Sequence, residues 1–137
     1  MILYEIKINY ERQTGENNPG NVEETYLVEG LSPADVEGRL MDEIQRYISG
    51  DSEVVSCRKV QYADIITSPE GDTWYKARVE MITIEDDKET RRKVSILVQA
   101  SNITFALKNL SSQLAAIDCE IVSITRSPIL EVYRAVK

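Results

Sequence analysis

The 137 residues predict an α+β fold: two tandem ββαβ units with pseudo-twofold symmetry, mostly antiparallel sheet and two helices packed on it. Two observations carry that prediction. Period-two strand patterns alternate with two amphipathic helical stretches, and "YLVEGLSPADVEGRL" (26–40) returns some 70 residues later as "ILVQASNITFALKNL" (96–110). Fixed strand and helix periods make any two such segments look alike. Here the order of elements, the loop positions and the cap positions agree as well, which a duplication explains. The expectation is a single domain, 1–137, made of repeats at about 1–67 and 73–137. A chain of this length buries roughly two thirds of its unfolded surface, enough for a core without staples.

In the first repeat, "LYEIKINY" (3–10) alternates Tyr4, Ile6, Ile8 and Tyr10 with Glu5, Lys7 and Asn9, the pattern of a half-buried strand. "ERQTGENNPGN" (11–21) reads as a polar connection, and "VEETYLVEG" (22–30) as the hairpin partner ending at Gly30. Ser32 before Pro33 predicts a helix N-cap with proline at the first helical position, and Asp35 completes a capping-box-like arrangement. Val36, Leu40, Ile44 and Ile48 recur every four residues, with Met41 and Tyr47 beside them. They form one apolar stripe on about four turns, stopped by Gly50. "EVVSCRKVQYADIIT" (53–67) is β-rich and predicts a third strand with a short extension.

The second repeat follows the same order. "WYKARVEMITI" (74–84) alternates Tyr75, Ala77, Val79 and Met81; "EDDKE" is a turn; "RRKVSILVQA" (91–100) returns as the partner strand. Ser101 or Asn102 caps a helix on which Ile103, Ala106, Leu107, Leu110, Leu114 and Ile117 share a face. "CEIVSITRSPILEVY" (119–133) closes the copy. Tyr4 then corresponds to Tyr75, Leu40 to Leu110, Val55 to Val122, and "YADII" to "ILEVY", pairing Asp64 with Glu131. Cys57 falls opposite Ile124 and predicts a core position, whereas Cys119 falls with Ile121 on the other face. Two free thiols are expected.

Composition excludes much chemistry. The chain has no histidine, which removes Ser/His/Asp and Cys/His nucleophilic sites, the HExxH metal helix and imidazole-ligated zinc. Its six glycines form neither a GxG nor a GxxxxGK phosphate cradle, and there is no CxxC pair or calcium loop. No cofactor, metal or catalytic residue is assigned, and the protein is read as a non-enzyme. No apolar run approaches the roughly 20 residues of a membrane span, and the opening strand pattern is unlike a signal peptide. The expected location is cytoplasmic. A formal charge of −7 disfavours nucleic acid and anionic lipid.

Three features offer a contact surface. "ITIEDDKETRRK" (82–93) sets Glu85, Asp86, Asp87 and Glu89 before Arg91, Arg92 and Lys93; cross-strand pairing at a solvated hairpin tip accounts for it, and a partner-binding tip is the functional alternative. Trp74, with Tyr75 after it, starts a strand and fits either the core or a recognition hot spot. Seven tyrosines against one phenylalanine is an unusual balance; Tyr47, Tyr62 and Tyr133 suit an amphipathic surface or edge positions where the hydroxyl reaches water. The candidate interaction residues are Trp74, Tyr75, Arg91, Arg92 and Tyr133. "WYKARVEM" and "VYRAVK" interleave aromatic and basic residues as single-strand binders do, against the net charge.

"YLVEGLSPADVEGRL", "WYKARVEMITIEDDKETRRKVSILVQA" and "SPILEVY" together resemble an uncharacterised family of short proteins from Bacteroides-type bacteria and their phages or mobile elements, known only as a domain of unknown function. That resemblance implies a phage or mobile-element context and carries no catalytic residue. The functional expectation is a non-enzymatic interaction or accessory module that binds a protein partner or itself through its sheet edges. The alternative is a nucleic-acid-associated protein, binding single strands or mimicking nucleic acid through its acidic surface. A histidine-independent enzyme is the remaining reading.

Overall fold

The computed structural model describes residues 2–14, 18–48 and 51–134. In chain order these form β1 (Ile2–Thr14), β2 (Asn18–Gly30), α1 (Pro33–Ile44), a 3-10 turn (Gln45–Tyr47), β3 (Ser52–Val60), β4 (Asp64–Ile66), β5 (Thr73–Glu85), β6 (Lys88–Ala100), α2 (Ile103–Gln113), β7 (Cys119–Arg126) and β8 (Ile129–Tyr133). The fold is α+β, with two mostly antiparallel four-stranded sheets, ordered β3-β1-β2-β8 and β4-β6-β5-β7. Two compact units result: Met1–Gln61 with Pro128–Lys137, and Tyr62–Ser127.

In the first unit, β1 and β2 pair antiparallel from Ile2↔Gly30 to Thr14↔Asn18. The stretch 11–21, expected as a connection, is therefore mostly ladder, and residues 15–17 lie outside the described residues. Backbone pairing satisfies N–H and C=O groups whatever the side chains, so a polar sequence can extend a two-stranded ribbon past the part that needs a buried face. At the start of α1 the Ser32 Oγ accepts from the Asp35 N–H at 3.2 Å, while Asp35 Oδ2 accepts from the Leu31 N–H at 2.9 Å. The reciprocal cap forms as expected, closing on Leu31 instead of Ser32.

The α-helix stops at Ile44, a turn earlier than predicted, and the chain tightens into the 3-10 turn. Val36, Leu40 and Ile44 are buried, whereas Tyr47 is 75% exposed. Gly50, read as the stop signal, lies outside the described residues. The helix covers Tyr4, Ile6, Ile8, Tyr26 and Val28, which form the unit's core with it.

In the second unit, β5 and β6 pair from Thr73↔Ala100 to Glu85↔Lys88. The two-residue turn places Asp86 at φ 50° and Asp87 at φ 60°. Such left-handed pairs match the twist of the strands they join, and aspartate is among the few residues that tolerate the region. Asn102, one of the two predicted caps, accepts from the Phe105 N–H at 2.9 Å. The apolar stripe of α2 is narrower than expected: Ala106, Leu110 and Leu114 are buried, but Ile103, Leu107 and Ile117 are about half exposed. Only the i, i+4, i+8 line reaches the sheet, where it meets Tyr75, Ala77, Val79, Ile96 and Val98.

Residues 53–67 are not one strand with an extension. The chain breaks after Val60, and β4 joins β6 in the second unit, pairing Asp64↔Ile96 and Ile66↔Val98 in parallel. Likewise β8 leaves β7 and joins β2, pairing Glu131↔Tyr26 and Tyr133↔Val28 in parallel. The compact units thus differ from the sequence repeats at their closing strands, each of which completes the sheet built on the other repeat's hairpin.

One expectation about the cysteines is corrected. A bulge at Val122 leaves Arg78↔Ser123 beside Val79↔Ile121, so Ile124, Ile121 and Cys119 all turn toward the second unit's core. The extra residue reverses the alternation that had put Cys119 and Ile124 on opposite faces. A matching bulge at Val55 sits between Ser56 and Val54 on β3. Cys57 lies opposite Ile6 and packs on the first unit's core. Both thiols are free. Burial, aided by Glu37, raises the Cys57 thiol above its ordinary range.

Candidate functional site

A recess in the first unit arises from a mismatch of lengths. The 12 residues of α1 span about 18 Å at 1.5 Å per residue, whereas the 13-residue strands beneath it run about 43 Å at ~3.3 Å per residue. The sheet face therefore continues past the helix end. Tyr10 and Glu24 stand on that uncovered part and Tyr26 at its margin under the helix; Glu24 is paired with Ile8, two residues before Tyr10 on β1, and lies two residues before Tyr26 on β2. With Ile44, Tyr47 and Ile48 from the helix end they line a cavity of about 270 Å³.

Hydrogen bonding defines what this recess offers. The hydroxyls of Tyr10 and Tyr26 both donate to Glu24, to Oε1 and to Oε2 respectively, the second at 2.8 Å. A tyrosine has one O–H, so neither phenol has a donor left, and the carboxylate has about four acceptor positions of which these bonds use two. Tyr133 stacks on Tyr26 with ring centroids 6.0 Å apart and 25° between planes. The Arg46 guanidinium lies 5.8 Å from the centre of the Tyr47 ring. Burial, then the Glu24 hydrogen bond and charge, drive the Tyr26 phenol far above its usual range. Burial, followed by Glu131 and Glu43, raises that of Tyr133, with Arg46 opposing. The last turn of α1 carries no basic side chain against the negative end of its dipole.

The sequence-predicted contact residues do not gather into one site. Trp74 is 3% exposed and Tyr75 8%, and Tyr75 belongs to the second unit's core, so neither presents a surface to a partner. Arg91 is held by three carboxylates: Glu120 on β7 at 2.7 Å, Glu80 on β5 at 3.2 Å and Glu89 at 3.3 Å. Of these, Glu89 belongs to the acidic set expected at the tip, whereas Glu80 and Glu120 lie on the neighbouring strands farther from it. Arg92 is exposed, paired in register with Met81. Beside this ladder, Arg78, Glu80, Lys93, Ser95 and Val122 border a second recess of about 300 Å³ with mixed charge. Tyr133 alone among the five joins the tyrosine cluster.

Tyr10, Glu24 and Tyr26 were not singled out from the sequence as site residues. The signal was the excess of tyrosine over phenylalanine: four of the seven tyrosines meet around this recess. Among the described residues every buried side-chain nitrogen or oxygen has a hydrogen-bond partner, and no three His, Cys, Asp or Glu side chains converge as a metal site would require. No helix among them is long and apolar enough to cross a membrane.

The sheet edges carry devices that discourage strand pairing. The outer strands β3 and β7 are bulged at Val55 and Val122, and the other two, β4 and β8, have three and five residues. Comparison with known proteins matches residues 2–135 to a family model described as a domain of unknown function, DUF4494. No curated protein matches the chain.

Proposed function

We propose, from the premise that the chain belongs to the DUF4494 family of domains of unknown function, that it is a non-enzymatic module that binds a protein partner through the tyrosine-lined recess of its first unit. The observation that carries this is the Tyr10–Glu24–Tyr26 hydrogen-bonded set at the open end of α1, with the exposed Tyr47 at its mouth. Tyrosine supplies large contact area with few rotatable bonds and is enriched at the centres of protein interfaces. Small-molecule sites span roughly 300–1,000 Å³, so a cavity of about 270 Å³ suits a single side chain better than a cofactor.

The blunted edges favour a partner docked on side chains over edge-to-edge self-association. The matching sheet orders and the equivalent registers of β4 and β8 support descent from one duplicated ββαβ unit. A cytoplasmic location and a phage or mobile-element context belong to the same proposal. A tagged full-length chain, used to capture partners from lysate of its source cells with and without nuclease, tests it. A protein retained after nuclease by the wild type and lost by Tyr47→Ala is the expected result. Capture that vanishes with nuclease would establish the nucleic-acid alternative, and capture indifferent to Tyr47 would remove the recess from the interface.

A further inference from the structure

We infer that the sheet of the second unit carries a site for one carboxylate, the acidic side chain of a partner protein, held between Arg78 and Lys93. This site goes beyond the tyrosine-lined recess and rests on residues of the second unit alone. Alternation along β5 and β6 puts Arg78, Glu80, Arg91, Lys93 and Ser95 on the sheet face turned away from α2, because Ala77, Val79 and Ile96, which alternate with them, belong to the core under that helix. The registers Arg78↔Ser95 and Glu80↔Lys93 make Arg78 and Lys93 diagonal neighbours across the strand pair, a spacing that long side chains bridge. With the half-exposed Val122 they border the recess of about 300 Å³.

Arg91 is what leaves these two cations unpaired. Lys93 stands directly opposite Glu80, yet the Glu80 carboxylate bonds to Arg91 at 3.2 Å, and Arg91 takes Glu89 and Glu120 as well. Among the described residues neither Arg78 nor Lys93 has an ion pair or a side-chain hydrogen bond, and both are exposed. Like charges held side by side on a sheet repel each other, and an anion between them relieves that repulsion. The guanidinium and the ammonium present several N–H donors each, and the Ser95 hydroxyl adds one more. Charge then selects the occupant. The lining sets Arg78 and Lys93 against Glu80, an excess of one positive charge. That complements a carboxylate and falls short of a phosphate dianion. A nucleic-acid backbone needs a line of cations, and here it would meet the Glu80, Glu89 and Glu120 carboxylates gathered on Arg91. Val122, exposed at the bulge, offers an apolar wall to the methylenes of an acidic side chain.

The test titrates the full chain, at fixed ionic strength, with N-acetyl-glutamate amide, its neutral analogue N-acetyl-glutamine amide, and inorganic phosphate. Binding is followed by NMR at the backbone amides of Arg78, Lys93 and Ser95. Saturable shifts with the glutamate probe are expected, and binding of the glutamine probe about tenfold weaker, the effect of losing a charge-assisted hydrogen bond. Arg78→Gln combined with Lys93→Gln should erase that preference. Arg92→Gln removes a charge from the same strand, but beside Met81 on the opposite face, and should retain it. Equal binding of the two probes, no saturable binding of either, or a preference that survives the double variant would each overturn the proposal. Loss of the preference in Arg92→Gln as well would overturn it by showing that net charge, and not the recess, selects. Phosphate bound more tightly than the glutamate probe would overturn the choice of a carboxylate.

Discussion

Alanine at three glycines should give three different outcomes, because the space around them differs. At Gly71 a Cβ would come within 2.6 Å of both Cα and N of Ala100 and 2.8 Å of its carbonyl carbon, about 0.8 Å inside the 3.4 Å at which ordinary contact begins. These are backbone atoms of β6, held in register by Thr73↔Ala100, and cannot rotate away. Gly71 is further fixed by its own bonds: its N–H donates to the Ser68 carbonyl at 3.0 Å, and its carbonyl accepts from Gln99 Nε2 at 3.0 Å. At Gly30 the clash is with Val36 Cγ1 at 2.4 Å and Asp35 Oδ2 at 2.7 Å. Val36 is fully buried and β-branched, so relief would empty a core position, and moving Asp35 would break its bond to Leu31. Overpacking of this kind costs typically about 1–3 kcal/mol, and these two positions belong at the upper end. Gly38, exposed on α1 with nothing within 4 Å of a new Cβ, should instead gain about 0.5–1 kcal/mol as alanine replaces glycine inside a helix. Urea unfolding followed by circular dichroism measures all three. A costless Gly71→Ala or Gly30→Ala, or a destabilising Gly38→Ala, would refute the packing described.

Two further outcomes follow from the cores and the tyrosine cluster. Leu40→Ala and Leu110→Ala each remove a fully buried side chain from the centre of a helix–sheet core and should cost about 2–5 kcal/mol by denaturant titration; a loss below ~1 kcal/mol in either would contradict that packing. Because burial and Glu24 hold the Tyr26 phenol protonated in the fold, the unfolded chain releases that proton first. Its contribution is fully present below pH ~10 and declines above it, by up to about 1.4 kcal/mol per pH unit. Tyr26→Phe should therefore flatten the alkaline fall in stability, and an unchanged slope would show that this phenol is not shielded.

Local physics made much of this molecule legible. The alternation of Tyr4, Ile6 and Ile8, the Ser32-Pro33 cap and the Val36–Leu40–Ile44 spacing depend on neighbours a few residues away, and each was read correctly from the chain. Three matters depended on contacts distant in sequence. Which sheet receives a closing strand is set by an edge it must find: β4 pairs with residues some 32 positions ahead, and β8 with residues more than 100 positions behind. The bulges at Val55 and Val122 are a property of two strands in register, so the face of Cys119 was invisible in one strand alone. The recess depends on where a short helix stops over a long strand, which brings Tyr10, Glu24, Tyr26 and Tyr47 together although no local pattern links them. Composition announced the tyrosines, and tertiary structure decided that they would share one carboxylate.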